Sequence, residues 1–125
     1  MSHRDPILAV DDSAPIREMI VSVLAPRGHR VLTAADGQEA LALLRSASEP
    51  FTVLLDIVMP RLDGLAVCAE VEADDDLRAI GHKIILMSST VRLSAPGIPV
   101  TAAQLPKPFT RQQLMEAIEV AQQSL

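Results

Sequence analysis

Short apolar runs alternate with amphipathic stretches along the chain, and this alternation predicts the order of its secondary structure. The apolar runs have the length of β-strands, whereas the stretches between them place apolar residues at helical spacing. The predicted strands are residues 7–10, 30–34, 51–55, 84–87 and 100–105. Because continuous apolar strands joined by helices are typical of a parallel sheet buried on both faces, the pattern indicates an α/β fold.

Polar residues at the starts of the amphipathic stretches indicate where the helices begin. Ser13 is the expected N-cap of a first helix, which should end by Gly28. Asp36 is expected to open a second helix, and Thr110 to cap the last one. Residues 64–73 form a third helix by their pattern. The capping residues therefore separate helices from strands along most of the chain.

The order of these elements brings the polar residues at the strand ends together. In an open parallel sheet, ligands bind beyond the carboxyl ends of the strands, near the point where the strand order switches. The polar residues that follow predicted strands are Asp11 and Asp12 after the first, Asp56 after the third, Ser88 and Ser89 after the fourth, and Lys107 after the fifth. We expect all of them to converge on one edge of the sheet.

Three carboxylates gathered at one edge repel one another, so the cluster should bind a proton or a cation. A divalent cation is the simpler solution, and an open site made of oxygen ligands suits Mg²⁺. Asp56 could then act as a carboxylate nucleophile toward a phosphoryl donor. Lys107 and Mg²⁺ would neutralise the developing charge, and a serine hydroxyl would donate to a phosphoryl oxygen.

Composition narrows the class of protein. With 125 residues, 49% of them hydrophobic and 22% charged, the chain is expected to be one globular domain. A net charge of -5 and the lack of a basic patch argue against a direct nucleic-acid surface. The polar start and the absence of a long apolar run predict a cytoplasmic protein with no signal peptide and no membrane span.

Four other features have ordinary structural explanations. Cys68 is the single cysteine, so it cannot form an internal disulfide, and it is expected to be a helix core residue. Phe51 and Phe109 are expected in the core. The acidic run 70–76 is most simply a solvated helix end followed by a loop.

Four motifs in this order resemble one known family. They are DD at residues 11–12, DIVMPRLDG at 56–64, IILMSS at 84–89 and KPF at 107–109. Over essentially its whole length, the chain resembles the receiver domains of two-component response regulators, and specifically the stand-alone type that chemotaxis receivers represent. The resemblance implies a flavodoxin-like, doubly wound, five-stranded parallel sheet of order 2-1-3-4-5 with helices on both faces. It also implies that residues 1–125 are a single receiver domain with no output domain.

The resemblance also implies roles for the acidic residues. Asp56 would be the phosphoacceptor. Asp12, and to a lesser degree Asp11, would hold Mg²⁺ together with Asp56, and the backbone carbonyl of Val58 would complete the metal site.

Three other positions take their expected roles from the same resemblance. Ser88 would be the switch hydroxyl, and Lys107 would pair with the phosphoryl group. A cis peptide bond before Pro108 would aim the lysine into the site.

The chain departs from the family pattern at the positions that govern switching. Gln104 stands where receivers usually have an aromatic residue that reports phosphorylation, so any switch must rest on Ser88 and the segment after it. The helix expected between Ser88 and Lys107 is predicted to be short, distorted or absent, because prolines interrupt that segment. Val58 and Thr90 flank the path of the hydrolytic water in the family, and an apolar Val58 cannot orient it. Slow to intermediate self-dephosphorylation is the expected result.

The sequence therefore predicts a monomeric response regulator that accepts a phosphoryl group from a histidine kinase or histidine phosphotransfer protein. It would catalyse only its own phosphorylation and dephosphorylation, and it would signal through protein contacts. One alternative is a receiver-like interaction module that works without phosphorylation, favoured by Gln104 and by the short segment before Lys107. Another is a phosphatase of the haloacid dehalogenase type, but Val58 occupies the place of its second aspartate.

Overall fold

The computed structural model describes residues 4–89 and 103–123 of the chain. Five parallel strands form one sheet in the order β2-β1-β3-β4-β5, which confirms the order implied by the resemblance. The strands are β1 (Ile7–Val10), β2 (Val31–Ala34), β3 (Thr52–Asp56), β4 (Lys83–Ser88) and β5 (Ala103–Pro106). The helices are α1 (Ala14–Leu24), α2 (Gly37–Arg45), α3 (Gly64–Ala73), α4 (Asp75–Ile80) and α5 (Arg111–Gln123), and a 3₁₀ turn, Ala25–Arg27, follows α1.

Strand β1 is apolar throughout, and β3 is apolar at residues 53–55, because helices cover both faces of the sheet. Side chains that alternate along a strand enter opposite cores. Leu8 and Leu55 join the core beneath α2 and α3, whereas Ile7 and Leu54 join the core beneath α1 and α5. This two-sided burial explains why the strands read as continuous hydrophobic runs.

The predicted caps are confirmed by hydrogen bonds at the helix starts. The Ser13 hydroxyl accepts from the amide of Ile16 at 3.4 Å, and the Asp36 carboxylate accepts from the amide of Glu39 at 2.9 Å. The Thr110 hydroxyl likewise accepts from a backbone amide two residues into α5. These side chains satisfy amides that have no partner inside the helix, which is why the helices begin where they do.

The prediction for the acidic run 70–76 is wrong in part, because the run contains the start of a second helix. The carboxylate of Asp74 accepts from the amides of Asp76 and Leu77 at 2.9 and 3.1 Å and so caps α4. Leu77 is buried in the core beneath α2 and α3, and this contact holds the short helix against the domain.

Strand β5 lies at one edge of the sheet, beside β4. The expectations for the two phenylalanines and for Cys68 are confirmed. Phe51 is buried, and Phe109 packs against the core. Cys68 is buried in α3, where burial and the nearby charge of Glu72 raise the pKa of its thiol to about 11.

Two expectations lie outside the described residues. The helix expected between β4 and β5 falls on residues 90–102, and Thr90 belongs to the same segment.

Among the described residues, no helix is long and apolar enough to cross a bilayer.

Candidate functional site

The carboxyl ends of the strands bring the polar residues to one edge of the sheet. Asp11 directly follows β1, Asp56 is the last residue of β3, and Ser88 is the last residue of β4. In the register of the sheet, Asp56 lies beside Met87, so the ends of neighbouring strands are level. Parallel strands in this register must carry their terminal side chains to the same edge.

The three predicted carboxylates form one cluster. Asp11, Asp12 and Asp56 each place a carboxylate oxygen within 4.8 Å of the others. Asp11 and Asp56 are 1% and 6% exposed, whereas Asp12 is exposed. The cluster is therefore closed by protein on one side and open to solvent at Asp12.

Lys107 contributes the positive charge of the cluster. Its ammonium group donates to Asp11 Oδ2 at 2.6 Å and lies 3.4 Å from Asp56 Oδ2. The Lys107 amide donates to the Ser88 carbonyl at 2.7 Å, and the peptide bond between Lys107 and Pro108 is cis. The two ammonium distances place the Lys107 side chain at the ends of β1 and β3.

The surroundings of Asp56 disfavour its charged form. Burial, followed by the charge of Asp11, raises the pKa of Asp56 to about 6, although Lys107 opposes the shift. Burial alone would lower the pKa of Lys107, but its hydrogen bond to Asp11 and the charge of Asp56 outweigh burial and raise it. Lys107 therefore stays protonated beside Asp11 and Asp56. Its single positive charge does not balance the negative charges of the three carboxylates.

The turn between β1 and α1 holds Asp11 firmly. One carboxylate oxygen of Asp11 accepts from the amide of Ser13 at 2.9 Å, while the other accepts from Lys107. Its backbone carbonyl accepts from the Arg17 guanidinium at 2.7 Å. Arg17 was not singled out from the sequence, because no motif or spacing links a helix arginine to a carbonyl six residues before it.

Three further predicted positions lie among the described residues. Ser88 is buried and the adjacent Ser89 is exposed, so Ser88 is the serine that the sheet encloses. Val58 is 66% exposed, and its apolar side chain offers no group to orient a water molecule. Gln104 is exposed on the edge strand β5.

The donor set of the cluster fits a hard divalent cation. All three side chains offer carboxylate oxygens, with no histidine or thiolate among the clustered groups of the described residues. Small hard cations such as Mg²⁺ prefer a few carboxylates and an open side on which they keep water. The exposed Asp12 side of the cluster meets the second requirement.

Comparison with known proteins agrees with this geometry. The family model described as "Response regulator receiver domain" matches residues 7–119. The response regulator MprA of Mycolicibacterium vanbaalenii is 40% identical over 114 residues, which cover 87% of this chain and 46% of that protein. The probable transcriptional regulator ycf27 of Guillardia theta is 44% identical over 80 residues, 64% of this chain and 31% of the relative. The chain thus spans less than half the length of these two relatives.

Solved structures match over nearly the whole chain. The chemotaxis response regulator CheY4 of Vibrio cholerae superposes with a TM-score of 0.83 at 29% identity and covers 95% of this chain and 99% of its own. The response regulator TrrA of Thermotoga maritima, solved in complex with Mg(2+)-BeF, superposes with a TM-score of 0.81 at 30% identity. The match covers 94% of this chain and 98% of that chain. The strand order, the acidic cluster and the family match together show that the chain belongs to the response regulator receiver domain family.

Proposed function

We propose that this receiver domain accepts a phosphoryl group on Asp56 in a reaction that depends on Mg²⁺. The observation that carries the proposal is the placement of Asp56 itself. Asp56 is the last residue of β3, and its Oδ2 lies 3.4 Å from Lys107 Nζ. Its carboxylate also belongs to a three-carboxylate cluster that is open to solvent. A nucleophile, a cation and an open acidic site thus share one edge of the sheet.

The chemistry is a direct phosphoryl transfer. An Asp56 carboxylate oxygen attacks phosphorus, a new oxygen–phosphorus bond forms, and the bond between phosphorus and the donor atom breaks with its electron pair leaving on the donor. Lys107 offsets the negative charge that Asp56 gains in the product. When held by Asp11, Asp12, Asp56 and the Val58 carbonyl, Mg²⁺ supplies further positive charge for the phosphoryl oxygens.

The donor in this proposal is a phosphorylated histidine of a histidine kinase or of a histidine phosphotransfer protein. The family is one of signalling proteins rather than classical enzymes, so this domain catalyses only its own phosphorylation and dephosphorylation. Val58 lacks a polar group, which supports slow to intermediate loss of the phosphoryl group. A single-domain organisation, a monomeric state and a cytoplasmic location stay predictions from the sequence.

The signal follows from the new charge at Asp56. A phosphoryl group adds roughly 1.5 to 2 negative charges, and the buried Ser88 hydroxyl at the end of β4 is the donor expected to respond. Gln104 replaces the usual aromatic, so the change reaches protein partners through Ser88 and the segment that follows it.

Intact-mass spectrometry after incubation with acetyl phosphate and Mg²⁺ tests the proposal. We expect the mass to rise by one phosphoryl group in the wild type. The same gain is expected in Asp76→Asn, which removes an exposed carboxylate of α4 that is not part of the cluster. Asp56→Asn and a magnesium-free sample should show no gain. The chain contains no Trp or Tyr, so mass replaces the fluorescence-quench readout that receivers often allow.

A negative result would favour the alternative function. If acetyl phosphate, a histidine kinase and a beryllofluoride-binding test all gave nothing, the acidic cluster would have no phosphoryl chemistry. The domain would then act as an interaction module that works without phosphorylation.

A further inference from the structure

The loop between β3 and α3, residues 57–63, begins directly after Asp56 and contains Val58. Backbone hydrogen bonds fix its two ends: the Ile57 amide donates to the Met87 carbonyl at 3.0 Å, and the Gly64 amide donates to the Ile57 carbonyl at 2.9 Å. The middle of the loop needs other contacts to hold its position.

Those contacts come from the start of α2. The Arg61 guanidinium donates through Nη2 and Nε to Asp36 Oδ2 at 3.0 and 3.3 Å. Beside it, the Leu62 carbonyl packs so closely on Gly37 that a Cβ added there would lie 2.2 Å from the Leu62 oxygen. Two successive loop residues therefore rest on two successive residues of the helix start.

Asp36 is a rigid anchor for this contact. Its Oδ1 accepts from the Glu39 amide at 2.9 Å, and Glu39 Oε2 in turn accepts from the Ala35 amide at 3.2 Å. The Glu39 amide, with help from Arg61, holds the pKa of Asp36 below its usual range. One oxygen of Asp36 is thus committed to the helix cap, while the other is aimed at the loop.

The backbone of Arg61 is not suited to an arginine. Its φ of 65° is the only positive value outside glycine among the residues that the structure describes. Glycine and asparagine adopt this left-handed region more easily. The Arg61 side chain is 65% exposed, so its ion pair adds little to stability. Neither backbone preference nor stability therefore explains why an arginine occupies this position. The ability of its long, charged side chain to bind Asp36 does explain it.

We propose that Arg61 is a positioning residue for the phosphorylation site. By binding Asp36, it holds the middle of the β3–α3 loop, and with it the Val58 backbone, beside the carboxylates that would hold Mg²⁺. The inference rests on the proposed function, because it gives the loop a role only if the cluster binds the metal.

The test replaces the side chain without opposing the backbone. Arg61→Asn keeps a residue that tolerates a positive φ but is too short and uncharged to make the ion pair. Mg²⁺ alone is titrated against the labelled protein while amide shifts are followed by NMR, and phosphorylation by acetyl phosphate is measured across Mg²⁺ concentrations.

We expect the half-saturating Mg²⁺ concentration to rise by about three- to tenfold in Arg61→Asn, which is less than the change on losing a group bonded directly to a metal ligand. The phosphorylation rate at saturating Mg²⁺ should change much less, because the nucleophile and Lys107 remain in place. The thermal midpoint should stay within about 3 °C of the wild type, since the ion pair is exposed.

Two further variants keep the test specific. Asp36→Asn retains a good helix cap but loses the charge that binds Arg61, so it should weaken Mg²⁺ binding in the same direction. Arg30→Ala removes an equally exposed arginine, 63% exposed and 3.2 Å from Glu49, before β2 at the opposite end of the sheet. It should leave the Mg²⁺ titration unchanged.

The outcomes separate this inference from the proposed function. Unchanged Mg²⁺ midpoints in both Arg61→Asn and Asp36→Asn would overturn the positioning role. A wild-type protein that binds Mg²⁺ but takes no phosphoryl group would count against the proposed function, and the Mg²⁺ midpoints would still decide the role of Arg61. A wild-type protein that binds no Mg²⁺ would overturn both.

Discussion

At the scale of single residues, Asp56 lies at the end of β3 with little of its surface exposed and with Asp11 beside it. Its folded-state pKa of about 6 is above the value of an unfolded chain, which is about 3.9. Folding therefore favours the protonated form, and the ionised form destabilises the fold above about pH 6. This penalty disappears as the pH falls toward 4, since Asp56 then becomes neutral in the folded state.

Asp56→Asn should consequently stabilise the protein when no metal is present. We expect the free energy of unfolding to rise by about 1 to 3 kcal/mol at about pH 8, with a smaller gain as the pH falls below about 6. Urea unfolding followed by circular dichroism in EDTA measures it, with Asp76→Asn as the control. A loss of stability in Asp56→Asn at high pH would contradict the raised pKa.

Lys107 and a bound cation compete for the same carboxylates. Lys107→Gln should therefore bind Mg²⁺ more tightly, by roughly three- to tenfold at about pH 8, because the ammonium beside Asp11 and Asp56 is gone. The same change should slow phosphorylation, since the phosphoryl group loses its cationic partner. NMR titration and mass spectrometry measure the two effects.

The matched control is Lys83→Gln, because Lys83 is the only other lysine of the chain and pairs loosely with Asp5 before β1. It should change neither quantity. Equal or weaker Mg²⁺ binding in Lys107→Gln would show that the lysine does not oppose the cation.

At the scale of secondary-structure elements, α3 begins with a glycine against the end of β3. A Cβ at Gly64 would lie 2.4 Å from the Asp56 carbonyl oxygen, which is closer than real contacts allow. Helix propensity alone predicts the opposite effect, because alanine is favoured over glycine in a helix by about 1 kcal/mol. The close approach of helix and strand decides the sign.

Gly64→Ala should therefore lower the free energy of unfolding, by about 1 to 3 kcal/mol, because the backbone of β3 must shift. Chemical unfolding measures the loss, and Ser22→Ala on the exposed face of α1 is the control, expected within about 0.5 kcal/mol of the wild type. A gain in stability in Gly64→Ala would mean that α3 moves away from β3 without cost.

The elements differ in how far local sequence could predict them. The helix caps Ser13, Asp36 and Thr110 were predictable, because each capping side chain bonds an amide only three residues away. Helix α4 was missed, although Asp74 is an equally good cap, because the acidic run has little apolar periodicity. Its single buried anchor, Leu77, becomes recognisable only once the core is seen.

At the scale of the whole molecule, two histidines lie at the end of the sheet opposite the carboxylates. His29 precedes β2 and His82 precedes β4. Burial lowers the pKa of both, with Arg4 and Arg27 adding to the effect at His29. Folding thus favours neutral histidine, so stability is lost as the pH falls below about 6.5, where the unfolded chain takes up protons.

In an Asp56→Asn background, acidification from about pH 7.5 to 5.5 should therefore destabilise the protein, and replacing both histidines by glutamine should flatten the dependence of stability on pH. The experiment belongs in an Asp56→Asn background, because Asp56 contributes with the opposite sign in this range. Urea unfolding at several pH values measures the slope. An unchanged slope after the double replacement would show that the two histidines do not control it.

The amino-acid sequence was sufficient to predict the α/β class, the helix caps and the strand-end positions of Asp11, Asp56 and Lys107. These features depend on local periodicity, local hydrogen bonds and the general geometry of parallel sheets. The folded chain was needed to show that Lys107 lies 2.6 Å from Asp11, 96 residues away, and that Arg61 binds Asp36. Such distances depend on how distant segments pack, and burial, pKa values and pairings follow from that packing.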